Sequence, residues 1–165
     1  MCCLRVLITG VKVSVSIQKA KLDNVRQIHH LLMEFAKSGF LLPRSLNDIC
    51  GNLRDFFVCA DGDKMLGCGA LHITWVDLAE IRSLAVVASA QRKGVGRQLV
   101  NSCLDEARAL HVPRVFTLTF VPEFFERMGF KRVERDALPH KIWTECVNCP
   151  HFPDCGEVPM AIDLK

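Results

Sequence analysis

Apolar residues recur with two different periods in the first part of the chain. At 11–17 they alternate with polar residues, and this alternation predicts a half-buried β-strand. After Asp23 the apolar spacing becomes three and four residues, which predicts an amphipathic helix that is capped by Asp23 and stopped by Gly39. The predicted buried face of this helix consists of Val25, Ile28, Leu32 and Phe35.

Short apolar runs separated by turn residues follow. Ser45–Asp48 has the Ser-x-x-acid pattern of a capping box and predicts a second, shorter helix. The apolar runs at 56–60 and 65–75 flank the turn dipeptide Asp61-Gly62, which predicts a β-hairpin. A further run at 77–89 predicts another strand, so this part of the chain should form an antiparallel meander.

The second half of the chain combines helices with strands. A glycine-bearing loop at 91–96 precedes an apolar stripe with helical spacing. A β-rich run at 114–120, a short helix at 122–128 that begins with proline, and a strand at 130–133 follow. Helices that alternate with strands after a meander predict an α/β layered domain with a mixed sheet.

Length and composition limit the classes of protein to consider. The chain has 165 residues, about the size of one domain, and 50% of them are hydrophobic, enough for a real core. We assign 1–12 to an N-terminal extension of undefined role and 13–165 to a single domain. No apolar run reaches about 18 residues, so we expect no membrane span. A net charge of +3 is too small to indicate a nucleic-acid-binding protein.

The number of cysteines bears on the cellular compartment in which the protein is expected. The chain contains nine cysteines but no recognisable signal sequence, which indicates a reducing, cytoplasmic environment. Six of them, outside the C-terminal cluster considered below, are expected to be buried apolar residues or unreactive thiols. The sequence leaves open whether the chain forms a homodimer.

The loop at 91–96 carries the clearest chemical signal. It leads from a predicted strand into a helix, whose first N–H groups are unpaired and whose dipole is positive at this end. Its glycines allow a bulky anion to approach the backbone, and Arg92, Lys93 and Arg97 add positive charge, so a pyrophosphate is the expected ligand. Neither the dinucleotide fingerprint nor the Walker pattern is present. A purely structural turn is the alternative.

Together with its neighbours, this loop resembles the corresponding region of the GNAT superfamily of acetyl-CoA-dependent N-acyltransferases. The wider motif includes Leu84–Val86 before the loop, and Phe116–Thr119 and Phe124–Phe130 after it. The resemblance extends over about 13–164 and is closest to the short, single-domain N-acetylglutamate synthases of bacterial arginine biosynthesis. The segments that carry this narrower likeness are Leu42–Ser45, Asp55–Val58, Leu78–Ile81, Leu118–Phe120, Pro122–Phe125 and Leu138–Trp143.

The resemblance implies a GNAT fold, in which helices flank a mixed, largely antiparallel sheet whose central strands splay apart. It also implies acetyl-CoA as cosubstrate, with Leu84, Ala85 and Val86 beside the pantetheine arm. Phe124 is expected to line the cofactor site, with core packing as the alternative. The residues implied to hold the pyrophosphate through main-chain N–H groups are Gln91, Arg92, Gly94, Val95, Gly96 and Arg97.

Glu80 is the implied general base, since the ammonium group of the acceptor must lose a proton before it attacks the thioester. On a regular strand Arg82 would share its face and weaken it as a base, unless a bulge separated the two. A Glu80–Arg82 surface pair is the alternative. The tyrosine that commonly protonates the leaving thiolate is replaced by Phe125, and the chain has no tyrosine, so we leave this proton to solvent.

The narrower likeness implies L-glutamate as the acceptor. Its two carboxylates require cationic groups, and we expect Arg44 first and Lys141 second, with a solvated surface cation as the alternative for each. Another amino acid, a polyamine, an antibiotic or a protein amine is the alternative acceptor. A non-catalytic acyl-CoA-binding module is the alternative to an enzyme.

The Cys-rich C-terminal segment at 138–157 has ligand-like spacing. It predicts either a structural zinc site, or free thiols or a redox pair. The candidate ligands are Cys146, Cys149 and Cys155, completed by His140 or His151. No role is expected for the remaining histidines, which are His29, His30, His72 and His111.

Overall fold

The computed structural model describes residues 16–138 and 156–164, so the predicted N-terminal extension lies outside the described residues. Within these ranges a seven-stranded sheet is flanked by helices. The strands are β1 (Ser16–Lys19), β2 (Phe56–Asp61), β3 (Lys64–Trp75), β4 (Leu78–Val86), β5 (Arg114–Thr119), β6 (Lys131–Arg132) and β7 (Val158–Asp163). The helices are α1 (Val25–Lys37), α2 (Leu46–Gly51), α3 (Val95–Ala109) and α4 (Pro122–Glu126).

The strands lie in the order β1-β2-β3-β4-β5-β7-β6. Every neighbouring pair is antiparallel except β4 and β5, which are parallel. The predicted mixed, largely antiparallel sheet is therefore confirmed. The predicted meander corresponds to β2, β3 and β4, and Gly62 has φ +58° in the tight turn of its hairpin.

Hydrophobic clusters cover both faces of the sheet. On β2, Phe56 and Val58 belong to the cluster formed with α1 and α2, whereas Phe57 and Cys59 belong to the cluster formed with α3. Because successive side chains of a strand point to opposite faces, the two clusters lie on opposite sides of the sheet. We call these sides the α1–α2 face and the α3 face. None of the helices in the described ranges has the length and hydropathy that a membrane span requires.

The first helix confirms its predicted face but not its predicted cap. Val25, Ile28 and Leu32 are buried, as the spacing indicates. Asp23, however, lies inside a 3-10 turn at Leu22–Asn24, one residue before the N-cap, and makes no side-chain cap. The prediction for Asp23 is wrong because the chain already turns before the helix begins.

The second helix and the last strand differ in how well local pattern predicted them. The hydroxyl of Ser45 accepts a hydrogen bond of 3.1 Å from the Asp48 N–H, so the predicted cap of α2 is present. The sequence pattern did not indicate β7, which lies between β5 and β6 and pairs with both. The predicted strand at 130–133 is observed as the short β6.

The central strands β4 and β5 separate after a short pairing. Their register is Leu78 to Arg114, Ala79 to Val115 and Glu80 to Phe116, and it ends there. Beyond this point β4 continues alongside β3 and β5 continues alongside β7. The expected splay is therefore confirmed, and Glu80 lies at its apex.

A bulge bends β4 just past the apex. Cys68 pairs with Ala85 and Ala70 pairs with Arg82, so β4 contains one residue more than β3 in this interval. Ser83 adopts φ +54°, an uncommon conformation for a residue other than glycine. After the bulge Leu84 and Val86 pack against the α3 cluster, so the strand now points these side chains toward α3.

Gly67 on β3 leaves room for the bulged strand. A Cβ atom at this position would lie 2.8 Å from the Ala85 carbonyl oxygen and 3.2 Å from Leu99 Cδ1. Gly67→Ala is therefore expected to destabilise the fold by about 1–3 kcal/mol, the usual cost of overpacking, and to lower the thermal unfolding midpoint. Gly51→Ala is the control, since nothing lies within 4 Å of a Cβ atom there. Equal midpoints for both variants would contradict this view of the strand contact.

Candidate active site

The loop after β4 is tied back to the strand by Gln91. Its side-chain Nε2 donates to the Val86 carbonyl at 3.0 Å, and its main-chain N–H donates to the carbonyls of Val87 and Ala88 at 3.2 and 3.3 Å. The expectation that Gln91 offers a main-chain N–H to a pyrophosphate therefore needs correction, because that hydrogen is already used inside the protein. Gln91 shapes the loop instead.

The amide groups that follow are open. The hydrogen-bonded backbone resumes at Gln98, whose N–H donates to the Gly94 carbonyl at 3.0 Å. Between them, the N–H groups of residues 92–97 find no acceptor among the residues that the structure describes. Arg92 and Gly94 have φ values of +60° and +85°, and such left-handed residues fold consecutive N–H groups into a concave nest. A nest at the start of a 15-residue helix fits an anionic group.

Phe124 borders this nest. A Cβ atom on Gly96 would lie 3.5 Å from Phe124 Cζ, so the ring flanks the first turn of α3. Phe124 also packs edge-on against Phe125, with ring centroids 5.0 Å apart. Phe125, at the position of the missing tyrosine, is buried and packs in turn against Phe130. Phe125 is therefore a core residue, whereas Phe124 lies at the edge of the loop.

Glu80 lies where the sheet opens. It pairs with His72 on β3 and is the last residue of β4 to pair with β5. Since its neighbour Ile81 belongs to the α3 cluster, the half-buried Glu80 points to the α1–α2 face. Arg82 shares that face because the register is regular from Glu80 to Arg82. The bulge comes after Arg82 and does not separate the two side chains.

An Asp–His pair adjoins Glu80, and sequence reasoning assigned it no role. His72 Nδ1 lies 2.7 Å from Asp55 Oδ2, and the two side chains are 31% and 24% exposed. Asp55 ends a short 3-10 turn before β2, so the partners are 17 residues apart in the chain. A local pattern does not reveal such a contact. The one available signal was that Asp55 begins Asp55–Val58, one of the segments that carry the narrower family resemblance described above.

Arg44 lies directly before Ser45, the N-cap of α2, and thus on the α1–α2 face of the sheet. Its side chain is 15% exposed, so it is not a solvated surface cation. Nη1 lies 3.4 Å from Asp48 Oδ2, and Asp48 Oδ1 accepts a 3.0 Å hydrogen bond from Asn52. The largely shielded Arg44 side chain therefore contacts α2 through Asp48.

The remaining predicted sites fall outside the described residues, namely Lys141 and the cluster of Cys146, Cys149 and Cys155. Within 16–138 and 156–164 no group of three metal-ligating side chains occurs. Burial raises the pKa of the Cys68 and Cys103 thiols to about 12, which agrees with their expected role as apolar core residues.

Comparison with known proteins identifies the family. The sequence profile of the acetyltransferase (GNAT) family matches residues 25–130. The chain belongs to the GNAT acetyltransferase family. An uncharacterized N-acetyltransferase of Chlorobaculum tepidum is 39% identical over 148 residues, which are 90% of this chain and 96% of that protein. An amino-acid acetyltransferase of Mycobacterium tuberculosis is 36% identical over 132 residues, 78% of this chain and 75% of that protein.

A solved structure resembles this GNAT domain closely. The N-acetylglutamate synthase of Neisseria gonorrhoeae, complexed with coenzyme A and N-acetyl-glutamate, superimposes with a TM-score of 0.83 and 27% identity. The match covers 92% of this chain and 35% of that longer chain. The protein is thus an acetyl-CoA-dependent GNAT N-acetyltransferase, an enzyme rather than a non-catalytic binding module. Its open nest of N–H groups is suited to the diphosphate of the cosubstrate.

Proposed function

We propose that this enzyme transfers the acetyl group of acetyl-CoA to the α-amino group of L-glutamate, the first step of arginine biosynthesis in the cytoplasm. The observation that carries the proposal is the largely shielded Arg44 side chain, 15% exposed, on the α2 side of the sheet toward which Glu80 points. A planar carboxylate is the ligand that such a guanidinium binds best. The amino-acid acetyltransferase and N-acetylglutamate synthase among its relatives support the same acceptor class.

The donor is proposed to lie along the splay. Beyond Glu80, the side of β4 that would face β5 has no neighbouring strand within 16–138 and 156–164, so its backbone can bind the pantetheine arm. The open N–H groups at the start of α3 hold the diphosphate, and Gln91 fixes the loop. The residues proposed to contact the cosubstrate are Leu84, Ala85, Val86, Arg92, Gly94, Val95, Gly96, Arg97 and Phe124.

Glu80 is proposed to act as the general base. Its carboxylate takes a proton from the ammonium group of glutamate, directly or through a water molecule, and the free amine attacks the thioester carbonyl. The nitrogen of the resulting tetrahedral intermediate loses its second proton to solvent. The carbon–sulfur bond breaks, and the thiolate of coenzyme A leaves and takes up one proton from solvent. The net reaction consumes one ammonium group and one thioester, and yields one amide, one thiol and one proton.

The two carboxylates of glutamate are proposed to bind separate cations. Arg44 holds one of them, and its anchoring by Asp48 fixes the direction of the guanidinium. Lys141, outside the described residues, is proposed for the other. Two cations would select acidic amino acids over polyamines, whose charge is positive.

A thiol-release assay with acetyl-CoA and a panel of amines tests the acceptor. L-glutamate is expected to give the highest kcat/KM, and spermidine and peptide amines the lowest. A higher value for another amino acid would replace glutamate as the substrate while leaving the acetyltransferase reaction intact. A preference for polyamines would contradict the role of Arg44.

Arg44→Ala is expected to raise the Michaelis constant for glutamate by about 10- to 100-fold, because a charge-assisted hydrogen bond contributes about 1.5–3 kcal/mol. The Michaelis constant for acetyl-CoA should change little. Arg26→Ala, at an exposed position on α1, is the matched control. Equal increases for both substrates would remove Arg44 from the acceptor site.

A further inference from the structure

The Asp55–His72 pair lies next to the apex of the splay and is not used by the mechanism above. His72 and Glu80 are directly opposite each other on antiparallel strands, so their Cβ atoms lie about 4.5–5.5 Å apart. A single water molecule can bridge side chains at that spacing. Asp55 contacts His72 from the end of the 3-10 turn at Leu53–Asp55, which leads into β2, the strand on the other side of β3. The three titratable groups therefore follow one another from Glu80 on β4, through His72 on β3, to Asp55 in the turn before β2.

The hydrogen bond determines how the imidazole ring is used. An ionised carboxylate only accepts hydrogen bonds, so the 2.7 Å contact with Asp55 requires the proton on His72 Nδ1. In the neutral ring Nε2 is then free to accept a proton. The two ring nitrogens point in widely different directions, so a ring that is bonded to Asp55 through Nδ1 turns Nε2 away from Asp55. When Nε2 is protonated, the imidazolium keeps its hydrogen bond to the Asp55 carboxylate, and this bond is then charge-assisted.

We propose that His72, held by Asp55, carries the proton that Glu80 removes from the acceptor out of the cleft. This inference rests on the proposed role of Glu80. The proton passes from the ammonium group to Glu80, from Glu80 through a water molecule to Nε2 of His72, and from His72 to solvent. One proton leaves per acetyl group transferred, which equals the net proton release of the reaction, and Glu80 is ionised again for the next cycle.

The exposure of the pair suits this role. His72 is 31% exposed, which allows exchange with solvent, while Asp55 holds the ring in one orientation. Charged residues near His72 on the α1–α2 face include Asp55, Glu80 and Arg82. Since His72 transfers a proton but does not touch the reacting atoms, its loss should slow turnover without weakening the binding of either substrate.

The test measures steady-state kinetics of His72→Gln in dilute buffer, with and without added imidazole, using the amine that the unmodified enzyme acetylates best. We expect kcat to fall roughly tenfold, less than the about 10²–10⁴-fold typical of a group that handles the reacting proton itself. Both Michaelis constants should stay unchanged, and imidazole should restore much of kcat after the uncatalysed rate is subtracted. His30→Gln, exposed on α1, is the matched control.

Each alternative outcome is decisive. A kcat within twofold of the unmodified enzyme, or a loss that imidazole does not restore, would overturn the relay. If His72→Gln does not fold, Asp55→Asn replaces it, because an amide oxygen still accepts from Nδ1 but no longer stabilises an imidazolium. A lowered kcat at unchanged Michaelis constants then supports the relay, and an unchanged kcat overturns it.

An unmodified enzyme that acetylates other amines but not glutamate would refute the proposed substrate alone, whereas one without turnover on any amine would refute both proposals.

Discussion

Glu80→Gln is expected to lower kcat by about 100-fold or more, the usual effect of removing a general base. The amide keeps the size of the side chain but cannot accept a proton from the ammonium group of the acceptor. Glu80 is the last residue of β4 that pairs with β5, so the substitution removes the carboxylate at the point where the two strands part. Binding of coenzyme A should be unaffected, because the open N–H groups of the nest lie beyond β4, at residues 92–97.

Thiol release with saturating substrates gives kcat, and calorimetry with coenzyme A gives the affinity. Glu34→Gln is the matched control, since Glu34 is an exposed residue on α1 whose carboxylate pairs with Lys37. A Glu80→Gln enzyme that turned over within a few-fold of the unmodified one would leave the base unassigned. A parallel loss of coenzyme A affinity would instead indicate that the substitution disturbs the whole cleft.

Gly96→Asp should weaken coenzyme A binding by about 100-fold or more. The new carboxylate would stand at the first turn of α3, among the N–H groups that have no acceptor in the described protein. Like charges in such contact cost several kcal/mol, and each 1.4 kcal/mol corresponds to about a tenfold change in affinity. The carboxylate would also occupy the N–H groups itself, in the way that a bound anion does.

Gly96→Ala separates charge from bulk at the same position. Its Cβ atom would meet Phe124 Cζ at 3.5 Å, an ordinary van der Waals contact, so the fold and the affinity should change little. Calorimetric titration of both variants with coenzyme A, and circular dichroism to verify folding, measure the difference. If a folded Gly96→Asp protein bound coenzyme A as tightly as the unmodified chain, the nest would not be the diphosphate site.

Local patterns predicted most of the architecture. Helical spacing identified the buried side of α1, and a turn dipeptide between apolar runs identified the β2–β3 hairpin, because neighbours in the chain determine both. The cap at Asp23 failed since a 3-10 turn at 22–24 competes with it. The strand β7 was missed because it contains Pro159 and owes its conformation to β5 and β6, which lie far away in the chain.

The features of the candidate site differ in the same way, since some follow from neighbouring residues in the chain and others depend on distant contacts. The anion-binding loop was visible in the sequence because glycines, cations and a helix start are consecutive there. The Asp55–His72 contact was not visible, since only the packing of β2 against β3 brings the two residues together. The position of the bulge was likewise invisible: it follows Arg82 because Ser83 adopts a positive φ, for which serine carries no sequence signal.

The position of β7 has a consequence for how the protein is made. The ribosome synthesises β5 and β6 before β7, which lies between them in the sheet. Neither β5 nor β6 can therefore complete its pairing until β7 has been synthesised. Until β7 arrives, one edge of β5 is open to pairing with strands of other chains. Variants that slow the insertion of β7 should therefore reduce the yield of soluble protein in cells, even when the purified enzyme is as active as the original.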